Sequence, residues 1–159
     1  MYVTRRLEWK AFKNLAKALA TYKIHPSDTL MVIVSPDYSS SIGMMMAHRL
    51  SKDGEMLDIA FIDVPYPDEN VNTYMGKFMT NGSLQKYKRY SQVILIEAGV
   101  ISGKNYSWIT KILDDNEIKY ITAALFEHED SAFKSAAVGM YYDSELEFYW
   151  EKFNNHWKQ

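Results

Sequence analysis

Apolar positions along the chain switch between a period of three to four and near-continuous runs, which predicts alternating helices and strands. Leu7, Ala11, Leu15, Ala18, Leu19 and Tyr22 predict an amphipathic first helix. Lys10, Lys13 and Lys17 mark its solvated side. His25-Pro26-Ser27-Asp28 end it, since proline disfavours helical geometry in the residue before it. The run TLMVIV at 29–34 predicts a central strand, halted at Pro36 in a polar loop over 35–41. Ile42, Met45, Met46 and Leu50 predict a second helix, in which Met44, Met45 and Met46 read as packing rather than as a soft-metal site. A second strand is expected over 57–64, ended by Pro65 and Pro67. The weakly patterned stretch 65–92 is expected to be a flap, with Asn81-Gly82 as a hairpin turn. A third strand covers 93–97. Trp108, Ile109, Ile112 and Leu113 give a third helix, and strands follow at 119–126 and 138–142. Trp150, Phe153 and Trp157 suggest a short closing helix or an aromatic tail.

This alternation predicts one α/β domain over residues 1–159, with a doubly wound, mostly parallel sheet. Ligands of such sheets sit outside the C-terminal strand ends, where the strand order reverses. Three polar strand tips, at 37–41, 97–105 and 127–130, belong to that edge and should converge on one cleft.

Composition narrows the partners. A net charge of -2 provides no basic excess for nucleic acid or an anionic membrane surface. No apolar run reaches membrane-spanning length, and the start MYVTRRLEWK lacks the apolar core of a signal peptide. The absence of cysteine excludes disulfides and thiolate metal sites and fits a cytoplasmic setting.

The most informative stretch is VILIEAGVISGKN, 93–105. An apolar run closes on Glu97, Gly99 follows, and Ser102, Gly103, Lys104 and Asn105 lead into a helical pattern. The amides at a helix start lack intrahelical acceptors, and the helix dipole adds positive potential. A glycine there lets an anion come close. Glu97 adds a carboxylate for sugar hydroxyls or a metal, and the combination suits a ribose 5-phosphate. The same outline also serves an ordinary strand-to-helix turn, and Glu97 can equally be an acid left solvated at a strand tip.

In this order and spacing the motifs resemble the type I phosphoribosyltransferases, in particular the purine-salvage xanthine/guanine/hypoxanthine enzymes. Residues 94–105 follow that family's donor loop: an apolar strand, two acids, then Thr/Ser-Gly ahead of a hydroxyl residue. Ala123-Ala124-Leu125-Phe126-Glu127-His128 is similar to the strand that leads to its base-reading lysine. Phe148-Tyr149-Trp150-Glu151-Lys152 is similar to its Phe-Pro-Trp-Glu ending. The resemblance implies a mobile flap, a homodimer, and Mg²⁺-assisted transfer of a phosphoribosyl group from phosphoribosyl pyrophosphate to a purine-like base. It assigns Glu97 to the ribose, as the catalytic acid and a metal ligand, and Ser102, Gly103, Lys104 and Asn105 to the 5-phosphate. Asp37, Tyr38 and Ser39 fall at the pyrophosphate loop, and His128 and Trp150 at the base.

Four positions depart from the family pattern. Ala98 replaces the second acid, and Asp37-Tyr38-Ser39 replaces an Arg-Gly-Gly-like loop. His128 replaces the lysine, and Asn105 the closing hydroxyl residue. Each lost electrostatic contact to departing pyrophosphate or to an oxocarbenium-like ribose is typically worth about 3 kcal/mol, roughly a hundredfold in rate. Two functions therefore compete: transfer, and binding of a nucleotide or sugar phosphate by a degenerate regulatory relative. His128 implies a weak, pH-dependent preference for 6-oxopurines where a base binds, and Glu127 or Glu129, if close in space, would favour its charged, donating form. A bulkier residue at Gly103 is expected to abolish 5-phosphate binding and spare the fold.

Overall fold

Thr4 starts the first long helix: its hydroxyl accepts the Leu7 amide at 3.2 Å, satisfying one of the donors that every helix start leaves over. A two-residue strand, β1 (Tyr2–Val3), precedes this helix, α1 (Arg5–Ala20). The expected stripe is buried at Ala11, Leu15 and Leu19, joined by Phe12 and Ala16. The helix ends before the proline. Thr21 caps it, its hydroxyl donating to the Ala18 carbonyl at 2.7 Å, so Tyr22 lies beyond the last turn. Pro26 opens a short 3₁₀ turn, Pro26–Asp28.

This computed structural model describes residues 1–62 and 83–148. The chain continues through β2 (Thr29–Val34), α2 (Pro36–Leu50), β3 (Asp58–Ile62), α3 (Ser83–Tyr87), β4 (Gln92–Val100) and α4 (Lys104–Asp115). It ends in β5 (Tyr120–His128), β6 (Ala137–Tyr142) and β7 (Glu147–Phe148). Five strands form one parallel sheet in the order β3-β2-β4-β5-β6, and β1 pairs with β7 in a small parallel ribbon. The register sets Ile33 beside Ile96, and Glu97 beside Ala124.

Alternate residues of each strand serve two apolar layers, as the pleat requires. Met31, Ile33, Ile94 and Ile96 pack with Ala11, Leu15, Ile42 and Met46 of α1 and α2. Leu30, Val32, Val93 and Leu95 pack on the other face with Ile109, Ile112 and Leu113 of α4. A fully buried aliphatic side chain of this kind contributes about 1.5 to 3 kcal/mol. Gly43 brings α2 so close to the sheet that a Cβ there would collide with the Ile33 side chain.

Three boundaries differ from the sequence expectation. The polar loop expected over 35–41 is helix from Pro36 onward, because proline's fixed φ and missing amide suit a first helical position. Strand β4 runs through Ala98 and Gly99 to Val100, because β5 continues beside it, with Gly99 opposite Phe126 and Val100 opposite Glu127. Gly99 is therefore a strand residue, and the turn shrinks to Ile101, Ser102 and Gly103. The flap expected over 65–92 lies mostly outside the described residues, as do Asn81-Gly82, Trp150, Phe153 and Trp157. Its last part is core: α3 buries Leu84 and Tyr87, three residues apart, and Gln92 already belongs to β4.

Candidate functional site

The strand order reverses between β2 and β4. From β2 the chain moves outward to β3, then returns to the other side of β2 as β4 and continues to β5 and β6. Two helices start at the C-terminal ends of the two strands that flank this reversal, α2 after Ser35 and α4 after Gly103. The geometry places any ligand crevice there.

Glu97 links the two helix starts. Its Oε1 accepts Ser35 Oγ at 3.0 Å and Asn105 Nδ2 at 3.0 Å. The residue is only 5% exposed, so the reading of a solvated tip acid does not hold. Burial pushes its carboxyl up from 4.5 to about 7, against the pull of the Asn105 and Ser35 hydrogen bonds, which favour the ionised form. Glu97 is therefore a shielded carboxyl that titrates near neutrality and ties β4 to both flanking helices. Ser35 itself sits at φ 54, in the left-handed region that costs a non-glycine residue roughly 1 kcal/mol or more. Its hydroxyl reaches Glu97 from that strained position.

The positions assigned to a pyrophosphate loop form the first turn of α2. Tyr38 is exposed, whereas Ser39 is fully buried and its Oγ accepts the Ala98 amide at 2.9 Å. The backbone of Asp37 lies in the same turn. The Tyr38 amide, one of the donors that a helix start leaves over, turns back to the Ser35 carbonyl at 3.1 Å, beside the ordinary first helical bond from the Ser39 amide to the same oxygen. Ser39 thus supports the strand next to Glu97 and offers no loop to a ligand. Helical geometry closes that junction.

At the other junction Gly103 has φ 78, a left-handed value that suits glycine. A Cβ at this position would collide with Cβ of Phe133 and lie 2.8 Å from the Phe133 amide nitrogen and from Ser131 Oγ. The missing side chain therefore makes room for the loop between β5 and β6, rather than for an anion as the sequence suggested. That loop is held by the Ala132 amide donating to the Ser102 carbonyl at 3.3 Å, and Phe133 stacks edge-on with Tyr106 at 5.5 Å. Ser102 and Lys104 remain exposed on the outer side, and Asn105 is half-buried. Lys104 donates its amide weakly to Ser102 Oγ at 3.4 Å. The next two amides, at Asn105 and Tyr106, have no intrahelical acceptors, as at any helix start.

At the tip of β5, His128 is half-buried with its ring edge-on to Tyr142 at 5.0 Å. Its Nδ1 accepts the Asp130 amide at 3.1 Å. The neutral ring therefore carries its proton on Nε2, a fixed donor, where the sequence left donor and acceptor open. Neither Glu127 nor Glu129 forms an ion pair with it among the described residues. Glu127 points elsewhere: it is fully buried and its Oε2 accepts the Ser135 amide at 2.8 Å. Trp150 lies outside the described residues.

Sequence reasoning gave Ser35, Ser135 and Tyr142 no role. Ser35 is far from Glu97 in sequence and meets it through strand order alone. Nothing local marked it.

Solved structures with this arrangement can be named. A xanthine-guanine-hypoxanthine phosphoribosyltransferase of Helicobacter pylori is 14% identical with a TM-score of 0.64, covering 99% of this chain and 98% of its own. A purine phosphoribosyltransferase of Pyrococcus horikoshii is 15% identical with a TM-score of 0.65, at 94% and 92% coverage. The fold is that of the type I phosphoribosyltransferases. A Neisseria gonorrhoeae hypothetical protein solved with bound ppGpp is also similar, at 13% identity and a TM-score of 0.64, covering 99% of this chain and 93% of its own. No family model and no curated protein matches the sequence. Among the described residues no helix is long and apolar enough to cross a membrane.

Glu97 is the one carboxyl in the stretch 93–105, and both of its described hydrogen bonds come from the protein itself. No group of three His, Asp or Glu side chains that could hold a metal occurs among the described residues. The donor set does not fit a protein-held Mg²⁺. Glu97 is shielded, its Oε1 is taken by Ser35 and Asn105, and the adjacent position is Ala98, itself buried.

Proposed function

We propose that this phosphoribosyltransferase-like protein binds a phosphoribosyl compound, a purine nucleoside 5-phosphate or phosphoribosyl pyrophosphate, at the β2–β4 crevice, and that it turns such ligands over poorly. The observation that carries this reading is the Glu97 hydrogen-bond bridge. A carboxyl held by Ser35 and Asn105 inside the protein is withdrawn from the ribose, and near neutrality it is only partly ionised. Closure of the α2 start removes the second requirement of transfer, a pocket of free amides for pyrophosphate. The amides that open α4, with Lys104 on the exposed side, still suit a single phosphate.

Calorimetry with ribose 5-phosphate, phosphoribosyl pyrophosphate and GMP tests binding. Pyrophosphate release with guanine, hypoxanthine or xanthine and Mg²⁺ tests turnover. The expected result is saturable binding of the phosphorylated ligands, with release far below the usual enzyme range of about 1 to 10³ s⁻¹. Release within that range would establish transfer as the activity and remove the degenerate reading. Absence of binding to all three ligands would remove both.

The near-complete mutual coverage with a purine transferase keeps transfer as the second reading, and the same assay decides between the two.

A further inference from the structure

The outer side of α1 carries charge of one sign. Arg6, Lys10, Lys13 and Lys17 recur every three or four residues, all exposed, on the side opposite the buried Ala11, Leu15 and Leu19. Trp9 lies three residues after Arg6 and four before Lys13, so it is a surface neighbour of both. The acid of α1, Glu8, is half-buried and lies outside this stripe. A solvated helix side commonly mixes signs, as α4 does where Lys111 pairs with Asp115 at 3.1 Å. Among the described residues none of the four cations of α1 is paired with a carboxylate. They stand along about 16 Å of helix. A net charge of -2, which supplies no basic excess overall, conceals this segregation.

Trp9 is 51% exposed, and its ring lies parallel to that of the buried Phe12, with 9° between the planes and 5.4 Å between the centroids. One indole face rests on the core and the other is left to solvent, so a ring that stacks there immobilises little further. A single exposed tryptophan is ordinary, and so is a row of lysines. Together they supply what single-stranded nucleic acid needs: cations for the phosphates and, among them, a held aromatic face for a base. Other anionic partners fit less well. The apolar stripe of α1 is spent on the sheet, so Trp9 is its one large apolar side chain left exposed for a lipid surface. An acidic peptide would engage the cations and leave the indole without a planar partner. A duplex offers phosphates but keeps its bases stacked on each other.

We propose that this side of α1 binds single-stranded nucleic acid, with Arg6, Lys10, Lys13 and Lys17 on phosphates and Trp9 stacked on a base. The cations succeed one another at about 4.5 to 6 Å along the helix axis, and their flexible stems let each take its own phosphate. RNA and DNA single strands share this chemistry. Because α1 packs over β5 and β6, the surface is carried by different elements from those of the β2–β4 crevice and its ligand.

The test is fluorescence anisotropy of the whole chain with labelled oligouridylate and oligothymidylate bearing 5′-hydroxyl ends, beside a duplex of equal length. Co-sedimentation with vesicles of phosphatidylserine and phosphatidylcholine tests the lipid alternative. Wild type is expected to bind the single strands more tightly than the duplex. The logarithm of its affinity should fall with that of salt at a slope of about −3, as four phosphate contacts predict. Lys10→Ala combined with Lys13→Ala should bring that slope to about half. Trp9→Ala should weaken single-strand binding about tenfold and leave the slope unchanged. Trp9→Tyr keeps a ring and should restore most of the loss, which separates stacking from any loosening of α1. Binding of either strand with these signatures supports the assignment, and the tighter of the two identifies RNA or DNA. Absence of binding to both strands at low salt would overturn it. Equal affinity for the duplex, an affinity unmoved in Trp9→Ala, or binding to vesicles alone would do the same. Displacement of the oligonucleotide by excess ribose 5-phosphate would move it to the crevice and also overturn the assignment.

Discussion

The junctions β2–α2 and β4–α4 flank the same crevice, start from similar strands, and end differently. After β2 the chain enters its helix at once: Ser35 takes a left-handed turn, Pro36 begins α2, and the Tyr38 and Ser39 amides close on the Ser35 carbonyl. After β4 a three-residue turn intervenes, with Ile101 and Ser102 exposed, and α4 starts from a glycine without a side-chain cap and opens on the exposed Lys104. One junction consumes its polar groups in holding the fold, and the other leaves some facing outward. Within one fold, two turns that flank the same crevice can differ in how many polar groups they leave exposed. The two turns communicate through Glu97, which accepts one hydrogen bond from each side.

The largest effect should come from disturbing the open junction. Gly103→Val combines a left-handed backbone with a Cβ driven into Phe133, and about 4 kcal/mol of lost stability is expected from strain and overpacking together. Denaturant unfolding measures it, and a loss below about 1 kcal/mol would show that the β5–β6 loop does not rest on this glycine. The sequence expected such a variant to spare the fold. The packing of Phe133 against Gly103 reverses that expectation.

A slightly smaller effect should appear at the bridge between the junctions. The Glu97 carboxyl has a folded value of about 7 against 4.5 ordinarily, so the native state holds its proton more tightly than the unfolded chain. Its contribution to stability is complete below about pH 4.5 and is lost as pH rises through 7, a change of about 3 kcal/mol. Glu97→Gln keeps an acceptor for Ser35 and Asn105 and cannot ionise. Comparing unfolding free energies of the two proteins at pH 4.5 and 7.5 should show the wild type losing that amount relative to the variant. Parallel pH profiles would mean that Glu97 is solvated in the folded protein.

The closed junction should respond more mildly. Ser39→Ala leaves the buried Ala98 amide without its acceptor, at a cost of about 1 to 3 kcal/mol and with no change in ligand affinity. A loss of ribose 5-phosphate binding in a normally stable Ser39→Ala protein would restore this turn to the ligand site. The smallest effect belongs to Lys104→Ala. This side chain is exposed, so its loss should weaken ribose 5-phosphate several-fold at low salt and less at physiological salt, with stability unchanged. Titrations at two ionic strengths distinguish that outcome from a salt-independent change.

The pattern of residues by itself determined the layered α/β fold. Runs such as TLMVIV and VILI can be buried on both faces only in a covered parallel sheet, and the stripes of α1 and α4 cover it. It also marked Glu97, Gly103 and His128, because charge, glycine and imidazole at strand ends are local signals. What those residues face was decided by the tertiary structure. Strand order brings Ser35 and Asn105 to one oxygen of Glu97, continued pairing with β5 draws Ala98 and Gly99 into β4, and the β5–β6 loop occupies the space above Gly103. Glu127 and His128 are adjacent in the chain, yet the pleat sends one to the Ser135 amide and the other to Tyr142. Periodicity encodes burial, which depends on a residue and its near neighbours in sequence. Hydrogen-bond partners 62 residues apart, such as Ser35 and Glu97, depend on how strands far apart in the chain line up, and no local pattern carries that information.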